Sequence, residues 1–363
     1  MKWSTVFSLF LVFLFTGNVL AQGNPGAVYV ASNSAAGNSV MRFVRNADGT
    51  LAPGGSFSTG GLGTGSGLGN QGGLILSRDD RWLFVVNAGS DDISAFAVTR
   101  DGLRLTDRKP SGGQRPLSLT ESRSILYVVN VGGAVGGSDN ISGFYVTRRG
   151  KLFGIPNSTQ PLNQASTGPA QIGFNSDSNA LLVTEKATNQ LAVFRLDRFG
   201  RARPGEFVNS NGATPFGFAL GKRDQVFVSD AAGGAPGASA LSAYEFEGGK
   251  LNTIGQPVPS TQTAACWVVV TADGRLAFTT NTGSNTLSEF ALDFDGAPTL
   301  VNATAAFTST PGPIDMALSQ GDRYLYVLEG GVAVEGLELA PDGSLTHVTG
   351  VAVPRGSNGL AVR

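Results

Sequence analysis

The chain has 363 residues with 26 Lys+Arg against 27 Asp+Glu, giving a formal net charge of −1, and charged residues make up 15% of it. A chain so balanced lacks the basic field that draws proteins to phosphate backbones or anionic lipid, so nucleic acid is not an expected partner. A hydrophobic fraction of 41% with 51 glycines describes a globular, turn-rich protein with ample apolar material for a core.

At the N-terminus, Lys2 precedes an apolar run over 6–15 and the small-residue stretch Val19-Leu20-Ala21. This order is that of a secretory signal, and the run is too short to span a bilayer. Residues 1–21 are therefore expected to be a signal peptide and 22–363 a single mature domain, secreted or periplasmic, with no later membrane span. The one cysteine, Cys266, has no internal disulfide partner and reads as a small buried thiol rather than a nucleophile.

From residue 43 onward the chain repeats. An aromatic or Leu is followed about six residues later by a turn glycine: Phe43 and Gly49, Phe96 and Gly102, Phe144 and Gly150, Phe194 and Gly200, Tyr244 and Gly249, Phe290 and Gly296, Leu337 and Gly343. Successive glycines lie 53, 48, 50, 49, 47 and 47 residues apart, most of them in Asp-Gly pairs that favour tight hairpins. Upstream of each hairpin runs an apolar strand (28–32, 83–87, 126–130, 181–185, 226–230, 277–281 and 325–329), and before most of these a shorter one. Seven units of four antiparallel strands predict an all-β, seven-bladed propeller rather than six or eight blades or a solenoid. The first unit lacks its opening strand, and the terminal GLAVR at 359–363 is expected to supply it and close the ring.

In such a blade the second strand ends on the face where the innermost strand starts. LLVTE ends on Glu185, and Asn87, Asn130, Asp230, Asn281 and Glu329 end the equivalent strands. These side chains are expected to ring the mouth of the central funnel, although each taken singly could simply cap a loop. Two insertions, at 131–139 and 231–239, would overhang that mouth as lids or slack. GLGNQG at 67–72 leads into a strand and not a helix, so it reads as a flexible blade connection and not a dinucleotide loop. His347 falls on an outermost strand, and no metal site or cofactor is expected.

Stretches such as DRWLFVVNAGSDDISAFAVTRDG (80–102) and DGRLAFTTNTGSNTLSEFALDFDG (273–296) resemble the seven-bladed lactonase-like propellers, the fold of 6-phosphogluconolactonases and carboxymuconate-lactonising enzymes. QTAACWVVVT (262–271) and GPAQIGF (168–174) resemble a secreted branch of that family. The resemblance implies a catalytic carboxylate at Glu185. It also shows what has changed: Pro116-Leu117 and Pro169-Ala170-Gln171 stand where the family has a histidine, and Thr282 where it has an arginine.

The expected site is therefore Glu185 as general base, with Asn130, Gln171, Lys186, Phe216, Asp230, Cys266, Trp267, Asn281 and Thr282 as ligand contacts. Lys186 is placed on the face opposite Glu185 because neighbouring strand residues alternate. The mixture suits a small neutral or polar ligand, a lactone or sugar, bound by a monomer. Two functions remain open, a lactonase-like hydrolase or cycloisomerase with a reduced site, and a non-catalytic propeller binding carbohydrate, cell wall or protein.

Overall fold

A computed structural model describes Met1, residues 26–247 and residues 249–363; the expected signal peptide lies outside the described residues. Seven antiparallel sheets follow one another along the chain, each running from an innermost to an outermost strand. Blade four is representative, with strands Pro169–Phe174, Ala180–Glu185, Gln190–Arg195 and Glu206–Asn209 in that order. Blade three has its outermost strand broken in two, Leu152–Gly154 and Gln160–Pro161. No helix among the described residues is long and apolar enough to cross a membrane.

The ring closes as the repeat predicts. Leu360–Val362 pairs with Gly26–Ala31 as the innermost strand of blade one. Ala27 N donates to Arg363 O at 3.1 Å and Arg363 N to Ala27 O at 2.9 Å.

Each blade is covered on both faces by its neighbours, which is why the second strands are near-continuous apolar runs. The core is accordingly seven buried clusters, one in each seam between blades. In the seam of blades three and four, Tyr127, Val129 and Ile141 meet Ile172, Leu181, Val183 and Phe194. The Tyr127 hydroxyl also donates to Gly200 O at 2.8 Å and accepts from Ala202 N at 2.8 Å, tying one blade to the next blade's hairpin.

The periodic glycines are fixed by two demands at once. Gly150 sits at φ 69° in its hairpin, a left-handed backbone that side chains disfavour. A Cβ there would also collide with the Trp82 ring of blade two. We predict that Gly150→Ala lowers stability by about 1–3 kcal/mol, read as a lower urea midpoint at unchanged slope.

Candidate functional site

The innermost strands of blades three to seven share a local irregularity. Pairing is regular at the first residue and then shifts, between Pro116 and Ser118, Pro169 and Gln171, Pro215 and Phe218, Ala265 and Val268, and Pro313 and Asp315. Proline suits the first position because it has no ladder N–H to lose there, and a bulge re-aims the residues that follow. Gln171 spans to the next blade, with Nε2 donating to Phe218 O at 3.0 Å and Oε1 accepting from Phe218 N at 2.6 Å. Asp315 likewise accepts from Leu360 N of blade one at 2.9 Å.

Blade two departs from this pattern, and its departure shapes the axis. Its innermost strand is only Leu74–Leu76, and the glycine-rich residues before it leave the sheet and cross the funnel. Lys186 Nζ of blade four donates to Gly69 O at 2.6 Å, Trp267 Nε1 of blade six to Asn70 O at 2.7 Å, and Gln71 Nε2 to Val268 O of blade six at 3.1 Å. Gln71 N donates to Ala170 O of blade four at 3.1 Å, and Leu119 N of blade three to Gly72 O at 2.8 Å. GLGNQG is thus an axial plug fixed by its buried Asn70 and Gln71, with Gly67 left exposed, and not a flexible connection. Gly217 belongs to the same fit, since a Cβ there would strike Gln71 Oε1. Beyond the plug a cavity of about 450 Å³ follows the axis from Gln71 past Gln171 and Asp315 to the far strand ends at Leu76, Leu220 and Val362.

Glu185 does not face the funnel. It is wholly buried in the seam between blades three and four, accepting from Thr188 Oγ1 at 2.7 Å and from Asn163 N at 3.5 Å. The cause is strand alternation. Thr184 reaches toward blade five, where its hydroxyl donates to Phe216 O at 2.5 Å, so Glu185 must turn toward blade three. Burial raises its pKa above the usual carboxylate value.

The other strand-end residues behave alike. Asn130 Nδ2 donates to Asn140 Oδ1 at 2.9 Å, Asn281 Nδ2 to Ser288 Oγ at 2.8 Å, and Asp230 accepts from Ser242 Oγ at 2.5 Å. All three are almost completely buried. The expected polar ring at the mouth is replaced by internal ties, because a side chain at this position looks along the ring and not across it. The insertion at 131–139 is fastened too: Asp139 accepts from Gly133 N at 2.9 Å and from Thr167 N at 2.6 Å.

Lys186, expected as a ligand contact, does lie at the axis, on the side opposite Glu185. It stands one residue beyond the strand end, where alternation no longer applies, and its side chain lies over the axial plug. Its Nζ is 4.4 Å from the centroid of the Phe216 ring, an attraction between cation and ring face. Burial brings its pKa down to about 8, with Cys266 nearby. Phe216 packs on Trp267 with ring centroids 5.2 Å apart. Cys266 is buried, its Sγ 3.2 Å from Ala264 O, and burial pushes its thiol up to about 11, so it is protonated at neutral pH. Thr282 donates to Pro313 O at 2.8 Å.

Of the ten expected site residues, Gln171, Lys186, Phe216, Cys266, Trp267 and Thr282 therefore lie on the innermost strands or the turns beside them, around the axis. Glu185, Asn130, Asp230 and Asn281 lie in seams. Gly69, Asn70, Gln71 and Asp315 were missed. The available signal was the glycine-rich run at 59–73, long for a connection between blades, which carries two amide side chains into an otherwise apolar stretch.

The family model described as "Lactonase, 7-bladed beta-propeller" matches residues 28–152. The chain resembles the lactonase propellers. A Bacteroides fragilis protein assigned as a 6-phosphogluconolactonase superposes with a TM-score of 0.74 at 17% identity, covering 94% of this chain and 99% of that one. A Bacteroides uniformis protein of the same assignment gives 0.74 at 16% identity, covering 94% and 100%. The Pseudomonas aeruginosa periplasmic gluconolactonase gives 0.72 at 19% identity, covering 93% and 98%. At these identities the likeness establishes the shared propeller. A search of curated proteins returns no match to the chain.

The seams also carry a pH dependence. Burial raises the Asp230 carboxyl to about 7, against about 3.9 for an exposed aspartate. Between those values the folded chain holds a proton that the unfolded chain has released, so stability falls as pH rises from about 4 to 7. We expect Asp230→Asn to flatten the dependence of Tm on pH in this window and to melt higher than the wild type at pH 8.

Proposed function

We propose that this chain is an exported propeller of the lactonase type that opens a small neutral lactone, or the lactone form of a sugar, at the plugged end of its axis. The observation that carries this reading is Lys186: a largely buried amine held between the Gly69 carbonyl and the Phe216 ring, with its pKa brought down to about 8. At neutral pH most of it is still ammonium, with donors beyond the one used on Gly69. An ammonium in a poorly hydrated site can polarise a lactone carbonyl and stabilise the oxyanion that forms when water attacks. Phe216, partly exposed and backed by the buried Trp267, offers an apolar surface for the ring, and Thr282 and the plug backbone offer polar edges.

A single ammonium suits a neutral lactone better than a phosphorylated one, which is commonly held by forked arginine contacts. On this reading the protein works as a monomer without cofactor or metal, and the signal-like N-terminus supports a place outside the cytoplasm. A second reading, a silent propeller binding carbohydrate, cell wall or protein at the same place, is favoured by one observation. The carboxylate that the resemblance marks as catalytic, Glu185, is sealed in a seam.

The test is hydrolysis of a panel of unphosphorylated and phosphorylated lactones by the purified protein. Lys186→Met should lower kcat/KM at least tenfold, the scale on which a lost oxyanion donor acts. Glu185→Gln should leave kcat/KM near the wild-type value. The wild-type rate should fall as pH rises through about 8, where the ammonium is lost. Turnover that is indifferent to Lys186, or that vanishes with Glu185 in a protein that still melts cooperatively, would refute the assignment. Saturable sugar binding without any turnover would support the silent reading.

A further inference from the structure

The charges on the face that carries the hairpins between third and outermost strands are segregated. In blades two, three and four these hairpins hold Arg100, Arg104, Arg148, Arg149, Lys151, Arg198, Arg201 and Arg203 against Asp101 and Asp197, eight cations to two acids. The corresponding hairpins of blades five, six, seven and one hold Lys250 and Arg45 against Glu247, Asp293, Asp295, Asp342 and Asp48, two cations to five acids. These hairpins thus concentrate positive charge on one side, while the turns between first and second strands on the same face, with the strand ends beside them, carry both signs all round, among them Asp79, Asp80, Glu121 and Asp177 in blades two to four and Lys222, Arg223, Arg275 and Arg323 in blades five to seven.

Within the positive half lies a recess of about 500 Å³ between blades two and three, lined by Trp82, Arg104, Leu105, Arg148, Arg149 and Lys151, with Thr106 at its base. Its shape is set by the repeat: the glycine of the blade-three hairpin packs on Trp82, which brings Arg148 and Arg149 over the outermost strand of blade two. Lys151 is neutralised in part by Asp107, 3.8 Å away. Arg104, Arg148 and Arg149 are exposed and form no ion pair among the described residues. The next seam continues the surface with exposed aromatic rings. Phe199 is 49% exposed with Arg198 and Arg201 stacked 4.6 and 5.3 Å from its centroid, and Phe153 is 58% exposed. Tyr145 donates to Phe199 O at 2.8 Å and holds that hairpin in place.

We propose that the hairpin face of blades two to four is a binding surface for an acidic polysaccharide, a chain of sugars bearing carboxylates. Free arginine forks match carboxylates in pairs, and exposed aromatic rings beside them provide flat apolar surfaces for sugar faces. The acidic hairpins on the other half weight the face toward this side for a polyanion, although Arg223 and Arg275 in neighbouring turns soften that contrast. The surface is separate from the plugged axial end and does not depend on the reading given to Lys186.

Affinity electrophoresis of the full chain through gels containing polygalacturonate, neutral dextran or single-stranded DNA tests it. Polygalacturonate should retard the protein at low salt and lose most of that effect at high salt, while dextran should not. The triple variant Arg104→Ser, Arg148→Ser, Arg149→Ser should bind at least ~10-fold more weakly, since each lost fork removes charge-assisted hydrogen bonds. Its fold, checked by its melting curve, should be unchanged because all three residues are exposed. A control that neutralises Lys250 and Arg45 should bind like the wild type. No retardation by polygalacturonate, retardation equal in the triple variant, or equal retardation by single-stranded DNA would each overturn the proposal.

Discussion

Every innermost strand of a closed propeller has a neighbour on one side only, and its other edge faces the axis with backbone groups that no ladder can satisfy. Much of this molecule follows from how that edge is paired. Gln171 and Asp315 reach sideways to the next innermost strand, and Ser118 accepts from Ile172 N at 3.1 Å. Where blade two would otherwise continue its strand, residues 67–73 leave it and spend their own amides on blades three, four and six. Pairing the inner edge and closing the funnel are therefore the same event. The axial end proposed to hold a ligand is bordered by Lys186, Phe216 and Thr282, with Trp267 buried against the plug.

A second consequence concerns the polar residues that end the second strands. A blade is a thin sheet pressed between two others, so a side chain on its second strand points along the circumference. Carboxyls and amides at these positions tie the connections between blades together. Glu185 bonds to Thr188 and Asn163, and Glu329 accepts from Ser309 N and Thr310 N beside the buried Glu335. With so little water, burial raises the pKa of several of these carboxyls. The resulting protons belong to the stability of the ring, and a raised carboxyl pKa here does not mark an active site.

The fold was legible because its signals are local. A turn glycine about every fifty residues reports a hairpin, and each such hairpin must be left-handed and must pack on the preceding blade, so the period survives where other residues drift. The closing role of GLAVR was legible by counting strands. The site was legible only in part. Gln171, Phe216, Cys266 and Trp267 could be placed near the axis because innermost strands start there. Glu185 was assigned to the funnel because the mouth was taken to lie where the circumference of the ring actually points, whereas Lys186, expected as a ligand contact, does lie at the axis.

What the sequence determined by itself is the repeat: the number of blades, the strands within each, the clasp made by the two ends, and the crowding of arginines into three consecutive hairpins. All of these rest on spacing along the chain and on turn chemistry that neighbours in sequence decide. What only the tertiary structure decided is which side chains meet. The plug contacts residues as much as 197 positions away, and no periodicity specifies that a glycine-rich connection will fill the axis and not lie over it. That choice depends on unpaired backbone groups brought together from different blades, which exist only once the ring has closed.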